Sequence, residues 1–404
     1  ILKRNSLCTV YIYLLFAATP PGEGKPETGD RPDGPHLCRP SPAFPSRTVK
    51  PFHLLPPYVK QNMPQKPGTS PDETTLSRGC ILCHEGAKMV LFVTGRCHRA
   101  CWYCPLSRER KGRDVEYAND RKVTSRSDVI EEAEKMSALG TGVTGGEPLL
   151  VLDRVVEVCT LLKEHFGPDH HVHLYTGLAP DEPILECLRG LVDEIRLHPP
   201  HESWPDILDT DYARSAVLAR RMGFSIGIEV PALPGIGNLA AALPLLDFLN
   251  INELEWGETC AAAMRERGLE PEDGLHNAVL GARKWAEELP PDPKVHFCSS
   301  VFKDSVQLRE RLRRIAANTA RPFEEVTDDG TVVYGVLEPA GPLDGFLESL
   351  DEDDYVVCEG RVEMAWWVLL DHGAGLPGKK YVVERYPNGG MVVEVTPLDA
   401  AIQD

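Results

Sequence analysis

The feature that most constrains this chain is an alternation that begins at residue 88. Short apolar runs are separated by segments whose apolar residues recur at helical spacing. Lys88-Met-Val-Leu-Phe-Val-Thr94 reads as a strand buried on both faces. Ile130, Ala133, Met136 and Leu139 then fall on one helical stripe, which Gly140 stops. Further strands are predicted at 142–144, 171–175, 194–197, 225–230 and 249–255, with helices at 152–162, 183–191, 212–222 and 239–248 between them. Strands joined through helices lie parallel with right-handed crossovers. The predicted class is therefore α/β: a parallel sheet, open or curved into a partial (β/α)6 TIM-like barrel. Such sheets carry their sites at the carboxyl ends of the strands.

The flanks divide the chain. Residues 1–75 are crowded with Pro, Gly, Ser and Thr and are expected to be extended or disordered, or not native to the protein. Cys8–Ala18 follows Lys3 and Arg4 in the layout of a signal peptide, but the chain starts with Ile and its cysteines are grouped like metal ligands, so a mis-called N-terminus is the preferred reading. The barrel domain is placed at 76–322, with a helical insertion at 260–290, one more strand at 295–301 and a helix at 303–318. That last helix carries Arg309, Arg311, Arg313 and Arg314 on one side, read as facing the active site. Residues 323–404 are read as a small α+β appendage, with Pro387-Asn-Gly-Gly390 as a hairpin turn before a final strand.

The net charge is −18, and residues 1–79 alone carry an excess of +4, so the remainder is strongly acidic. An acidic body repels phosphate backbones and argues against a broad nucleic-acid surface. No apolar stretch is long enough to span a bilayer. A cytoplasmic enzyme without membrane or nucleic-acid partners is expected.

The chemistry is concentrated in the twelve cysteines. Cys97-His-Arg-Ala-Cys101-Trp-Tyr-Cys104 directly follows the first strand. Three thiolates within eight residues suit one face of a [4Fe–4S] cluster and leave one iron without a protein ligand. A zinc site using His98 is the alternative, but zinc loops normally pair two Cys-x2-Cys knuckles. Thr144-Gly-Gly-Glu-Pro148 follows one strand–helix unit later, at the end of the second strand. Its glycines permit close backbone approach and Glu147 can attract an ammonium group. Cys80 and Cys83 form a further Cys-x2-Cys, with His84, Cys260 and Cys298 as candidate partners for an auxiliary Fe–S cluster or a zinc ion. Cys159 and Cys187 lie on apolar helix faces and are read as core.

The three-cysteine spacing, the aromatic Tyr103 before its last member, and Gly145-Gly146-Glu147-Pro148 together resemble the radical S-adenosylmethionine (SAM) superfamily. Residues 86–95, 104–112 and 303–309 resemble an uncharacterised archaeal-type group related to pyruvate formate-lyase activating enzymes. The resemblance covers roughly residues 78 to 335. It implies that Cys97, Cys101 and Cys104 hold the cluster, that Tyr103 lies near the adenine of SAM, and that Gly145–Pro148 contact its methionine end. It also points to Thr176 and His198 as SAM contacts, with Glu229, Asn252 and Glu253 as further candidates. The implied reaction is reductive cleavage of SAM to a 5′-deoxyadenosyl radical that abstracts hydrogen from substrate. The expected substrate is a small molecule or cofactor precursor, with ferredoxin or flavodoxin as one-electron donor. The alternatives are an activase that makes a glycyl radical on a partner protein, and a non-catalytic Fe–S or zinc protein.

Overall fold

The computed structural model describes residues 76–398, apart from 275, 344, 359 and 389. The Pro/Gly-rich stretch and the apolar run 8–18 lie outside the described residues.

The chain enters through helix α1 (Arg78–His84), whose N-cap Ser77 accepts from the Cys80 amide. A nine-stranded sheet follows: β1 (Lys88–Phe92), β2 (Tyr117–Ala118), β3 (Arg121–Lys122), β4 (Gly140–Thr144), β5 (His171–Thr176), β6 (Glu194–Leu197), β7 (Ser225–Pro231), β8 (Phe248–Asn252) and β9 (Val295–Cys298). Its spatial order is β3-β2-β1-β4-β5-β6-β7-β8-β9. From β1 through β4 to β9 every neighbour is parallel, with Leu91 opposite Val143 and Leu249 opposite Val295. β2 and β3 form a short antiparallel ribbon on the β1 edge. The crossovers use α2 (Arg126–Lys135), α3 (Leu152–Phe166), α4 (Glu182–Leu188) and α5 (Asp211–Arg221). Val155, Val158, Cys159 and Leu162 of α3 are fully buried, as the apolar stripe requires.

Alternate residues of these strands point to opposite faces. Met89, Leu91, Val143, Leu174, Ile195 and Ile226 join the helices in one large core. The other face is polar. Arg196 is 2% exposed, pairs with Glu194, and donates to Glu229 at 2.5 Å. Helix α1 lies against this polar face: the Gly79 amide donates to Glu194 at 3.2 Å, and Cys80 Sγ accepts from Asn250 at 3.2 Å. A Cβ at residue 79 would stand 2.5 Å from the Arg196 guanidinium and 2.8 Å from His173 Nδ1, so a larger residue would push into this buried network.

Three expectations are corrected. The segment expected as an α-helix over 239–248 is a 3₁₀ run over Ile236–Leu245. Pro244 lies inside it and lacks the N–H that an α-helical bond needs. Cys187 is exposed, because seven-residue α4 buries Leu185 and Leu188 instead. The basic helix begins as a π-helix over Lys303–Leu308 and continues as Arg309–Thr319. Its arginines face away from the strand ends. Arg311 reaches Asp120, and Arg314 donates to the carbonyls of Met136 and Ser137, closing the carboxyl end of α2.

A second sheet has the order β12 (Tyr355–Cys358), β13 (Arg361–Met364), β11 (Val332–Pro339), β14 (Gly378–Arg385), β15 (Val392–Pro397), with β10 (Glu325–Val326) paired to β11. All its pairs are antiparallel. Two small apolar clusters serve it, one around Phe323 and Tyr334 and one around Leu337 and Met364. The expected hairpin into the last strand is present as the β14–β15 pair.

Candidate active site

Cys97, Cys101 and Cys104 stand on the loop that leaves the carboxyl end of β1. The loop is shaped from several sides. The Gly95 amide donates to the Arg113 carbonyl at 2.7 Å, and a Cβ at residue 95 would stand 1.6 Å from the Arg110 carbonyl oxygen. Only glycine permits that return of the chain. On the far side Thr259 Oγ1 lies 3.1 Å from the Cys104 carbonyl and 2.6 Å from that of Leu106. The Arg267 guanidinium stacks over Trp102 at 4.7 Å. All three thiols are free, with Cys97 exposed and the other two half-buried. Burial pushes each of them above the usual thiol range.

The second motif packs directly onto this loop. The amides of Gly146 and Glu147 donate to the carbonyls of Thr94 and Arg96 at 2.6 and 2.7 Å. A Cβ on Gly145 would meet Thr94 O at 2.5 Å, and one on Gly146 would meet Arg96 O at 2.3 Å. The two glycines are thus required by the approach of β4's end to the cysteine loop itself. Glu147 caps the short turn Pro148–Val151 through the Leu149 amide at 3.0 Å. Its carboxylate is fully buried and also accepts from Thr176 Oγ1 at 2.8 Å and the Gly177 amide at 2.7 Å. Glu147 and Thr176, distant in sequence, therefore form one buried unit across the ends of β4 and β5.

Tyr103 and His198 form another. The Tyr103 hydroxyl lies 3.2 Å from His198 Nε2, and His198 Nδ1 lies 2.9 Å from the Glu229 carbonyl. A carbonyl only accepts, so the proton sits on Nδ1 and Nε2 accepts from the tyrosine. Burial supports this neutral form by pushing the imidazole down to about 4. Glu229 itself is held down to about 2: burial opposes ionisation, but Arg196 and the amides of Asn252 and Asn250 outweigh it.

Cys80, Cys83 and Cys298 are drawn into one region of the polar face, close enough for the first two to act on the charge of the third. Burial pushes the Cys298 thiol up to about 12. Cys260 goes elsewhere, beside Cys104. His84 packs against His296 and Phe302. Glu253 accepts from the Ser300 amide at 2.9 Å and serves the β8–β9 ends. Among the described residues no three His, Cys, Asp or Glu side chains already stand as a metal-holding group.

Two residues of this region went unread in the sequence. Arg99, inside the cysteine loop, donates to the His198 carbonyl at 2.7 Å and contacts the Gly177 carbonyl and the Tyr212 hydroxyl. Tyr212 starts from α5, and nothing in its own segment sets it apart. Arg99 had a signal: it is a cation between two candidate ligands.

The donor set fits an iron–sulfur cluster. Three free thiols share one loop and no fourth cysteine lies in it, and thiolates are the ligands such clusters take. The flanking strand ends supply buried acceptors and donors for a polar cofactor.

Residues 91–227 match the family model of the radical SAM superfamily, and residues 330–398 match a domain of unknown function (DUF8061). A protein of Methanocaldococcus jannaschii, provisionally named a glycyl-radical enzyme activating enzyme, is 38% identical over 352 residues, which is 80% of this chain and 93% of that protein. No helix among the described residues is long and apolar enough to cross a membrane. The chain belongs to the radical SAM superfamily, whose enzymes work with a [4Fe–4S] cluster and SAM.

Proposed function

We propose that this enzyme activates a partner protein by generating a glycyl radical on it. The observation that carries the reading is the 38% identity, across 93% of its length, to a protein provisionally named for that activity. It replaces the small-molecule reading as the preferred one. The partner is then a protein, the electron donor a ferredoxin or flavodoxin, and the compartment the cytoplasm.

Cys97, Cys101 and Cys104 would hold the cluster. When bound, it supplies the electron that cleaves SAM to the adenosyl radical. The protein's own part is orientation and exclusion of water. Glu147, fixed by Thr176, Gly177 and Leu149, presents a buried negative charge for the ammonium of SAM. Gly145, Gly146 and Pro148 fix that carboxylate against the cysteine loop. The Tyr103 ring is tilted 44° to that of His198 and its hydroxyl is tied to it, which fixes the ring beside the cysteine loop for the adenine.

The sheet is read as a partial barrel. Seven-residue α1 touches β1, β4 and β5, bonds to Glu194 of β6 and to Asn250 of β8. A helix of this length spans about 10 Å, while six flat strands span roughly 24 Å. Contacts of so short a helix with strands this far apart favour a sheet that curves around it. The barrel domain is assigned to 76–322 and the appendage to 323–404.

One observation favours a small-molecule substrate. Helix α1 already fills part of the polar face, which narrows the room for an inserted protein loop. The two readings separate in one experiment. The reduced enzyme with SAM is mixed with a glycyl-radical enzyme of the same genome, and the EPR spectrum is recorded. A glycyl radical that needs both proteins and is lost with Glu147→Ala supports the activase. Cleavage of SAM without any protein radical refutes it.

A further inference from the structure

Arg99 sits two residues after Cys97 and two before Cys101, yet its side chain leaves the loop. Nη1 donates to the His198 carbonyl at 2.7 Å. Nη2 reaches the Gly177 carbonyl and the Tyr212 hydroxyl, and that hydroxyl donates to the same carbonyl at 2.5 Å. One guanidinium thus joins the cysteine loop to the ends of β5 and β6 and to α5. Its planar fork suits several fixed acceptors at once, which a lysine cannot match.

The acceptors are two carbonyls and a phenol. None carries a charge, so no contact cancels the charge of the arginine. Glu147 lies close by: a Cβ on Gly177 would stand 3.2 Å from Glu147 Oε2 and 3.3 Å from Arg99 Nη1.

We propose that Arg99 is a positioning residue for the cluster, pinning the cysteine loop to the ends of β5 and β6 and offsetting the charge of Glu147 there. The second task has an electrochemical consequence. A reduced cluster carries one more negative charge than an oxidised one, so a nearby uncancelled cation favours reduction. Glu147 is needed beside the loop, and its charge disfavours reduction. Arg99 restores the balance without forming an ion pair that would tie up the carboxylate. The inference rests on the assignment of Cys97, Cys101 and Cys104 as ligands.

The test uses the full chain, reconstituted anaerobically, with iron counted and the cluster titrated by EPR. Arg99→Met is expected to hold iron while its ratio of reduced to oxidised cluster, at a fixed potential, falls about tenfold, a downward shift of about 59 mV. Arg99→Lys keeps the charge and should stay within about threefold of the wild-type ratio, while losing the fork. Tyr212→Phe keeps the charge and should leave the potential unchanged. An Arg99→Met chain that holds iron and titrates at the wild-type potential overturns the inference. If Arg99→Met loses its iron, lysine decides: iron regained at the wild-type potential supports the inference, and iron lost from both folded variants overturns it. A wild-type chain that binds no iron overturns the ligand assignment itself, an outcome distinct from either.

Discussion

The two sheets of this protein bury their residues differently. The parallel sheet is covered by helices on one face and by α1 and its ion network on the other, and it owns the large apolar core. The antiparallel sheet rests on two small clusters, and its edge strands stay open: Val357 of β12 is 61% exposed and Val392 of β15 is 49% exposed. Every candidate site residue lies in the first region. A doubly covered parallel sheet gives rigid strand ends on which loops are held to within a hydrogen bond. The cysteine loop, Gly145–Pro148, Thr176 and His198 all use that support. The antiparallel sheet offers no comparable platform among its described residues.

The contrast can be broken by substitution, and the largest effect is expected at the cysteines. Cys101→Ser should lower bound iron from about four per chain to below one, while Val357→Thr leaves iron unchanged. Colorimetric iron assay after reconstitution measures both. An equal loss in both variants would mean the second sheet supports the site after all. Next comes Glu147→Gln, which keeps the size of the side chain but removes its charge. SAM cleavage should fall about a hundredfold, on the scale of losing one preorganised electrostatic partner, with iron content retained.

Stability sharpens the same comparison. Arg196 is paired on both sides in the parallel sheet. Arg196→Leu leaves two buried carboxylates uncompensated and should destabilise the protein by about 3–5 kcal/mol, read from denaturant unfolding. Val357→Thr, on the open edge, should change stability by less than about 0.5 kcal/mol.

Acid should also act on the parallel sheet. Burial holds His170, His198 and His296 down to about 4, and also holds His173 well below the usual imidazole range. Their unfolded counterparts titrate near about 6.5. Between those values the unfolded chain binds more protons, so stability falls as pH drops from about 6.5 toward 4. Thermal melts at stepped pH would show it, and a melting temperature flat from pH 7 to 5 would contradict it. Glu229 adds a later loss of the same sign. Its folded value is about 2, so its contribution is present above the ordinary carboxylate range and disappears as pH falls toward 2.

Much of this was legible in the sequence. The strands at 88, 142, 171, 194, 225 and 249 announced themselves because buried parallel strands are short and apolar and their helices carry a single stripe. The three cysteines and Gly-Gly-Glu-Pro were visible because both are local. What the sequence hid was pairing across distance. That Glu147 would be held by Thr176, or Tyr103 by His198, depends on which strand ends become neighbours. The reason for two glycines was also hidden: they accommodate Thr94 and Arg96 of the cysteine loop. The basic helix misled because a cluster of arginines in the sequence does not say what each one meets. Arg314 meets the carboxyl end of α2 and Arg311 the β2–β3 turn. Pro244 was readable as a breaker and should have counted against an α-helix there.

The most direct test of the account joins its two motifs in one assay. Anaerobically reconstituted enzyme is reduced in the presence of SAM, and 5′-deoxyadenosine is measured beside bound iron. The account predicts 5′-deoxyadenosine from the wild-type chain, none from Cys101→Ser because iron is gone, and almost none from Glu147→Gln although iron remains. Intact SAM in a wild-type sample carrying about four irons per chain would contradict it.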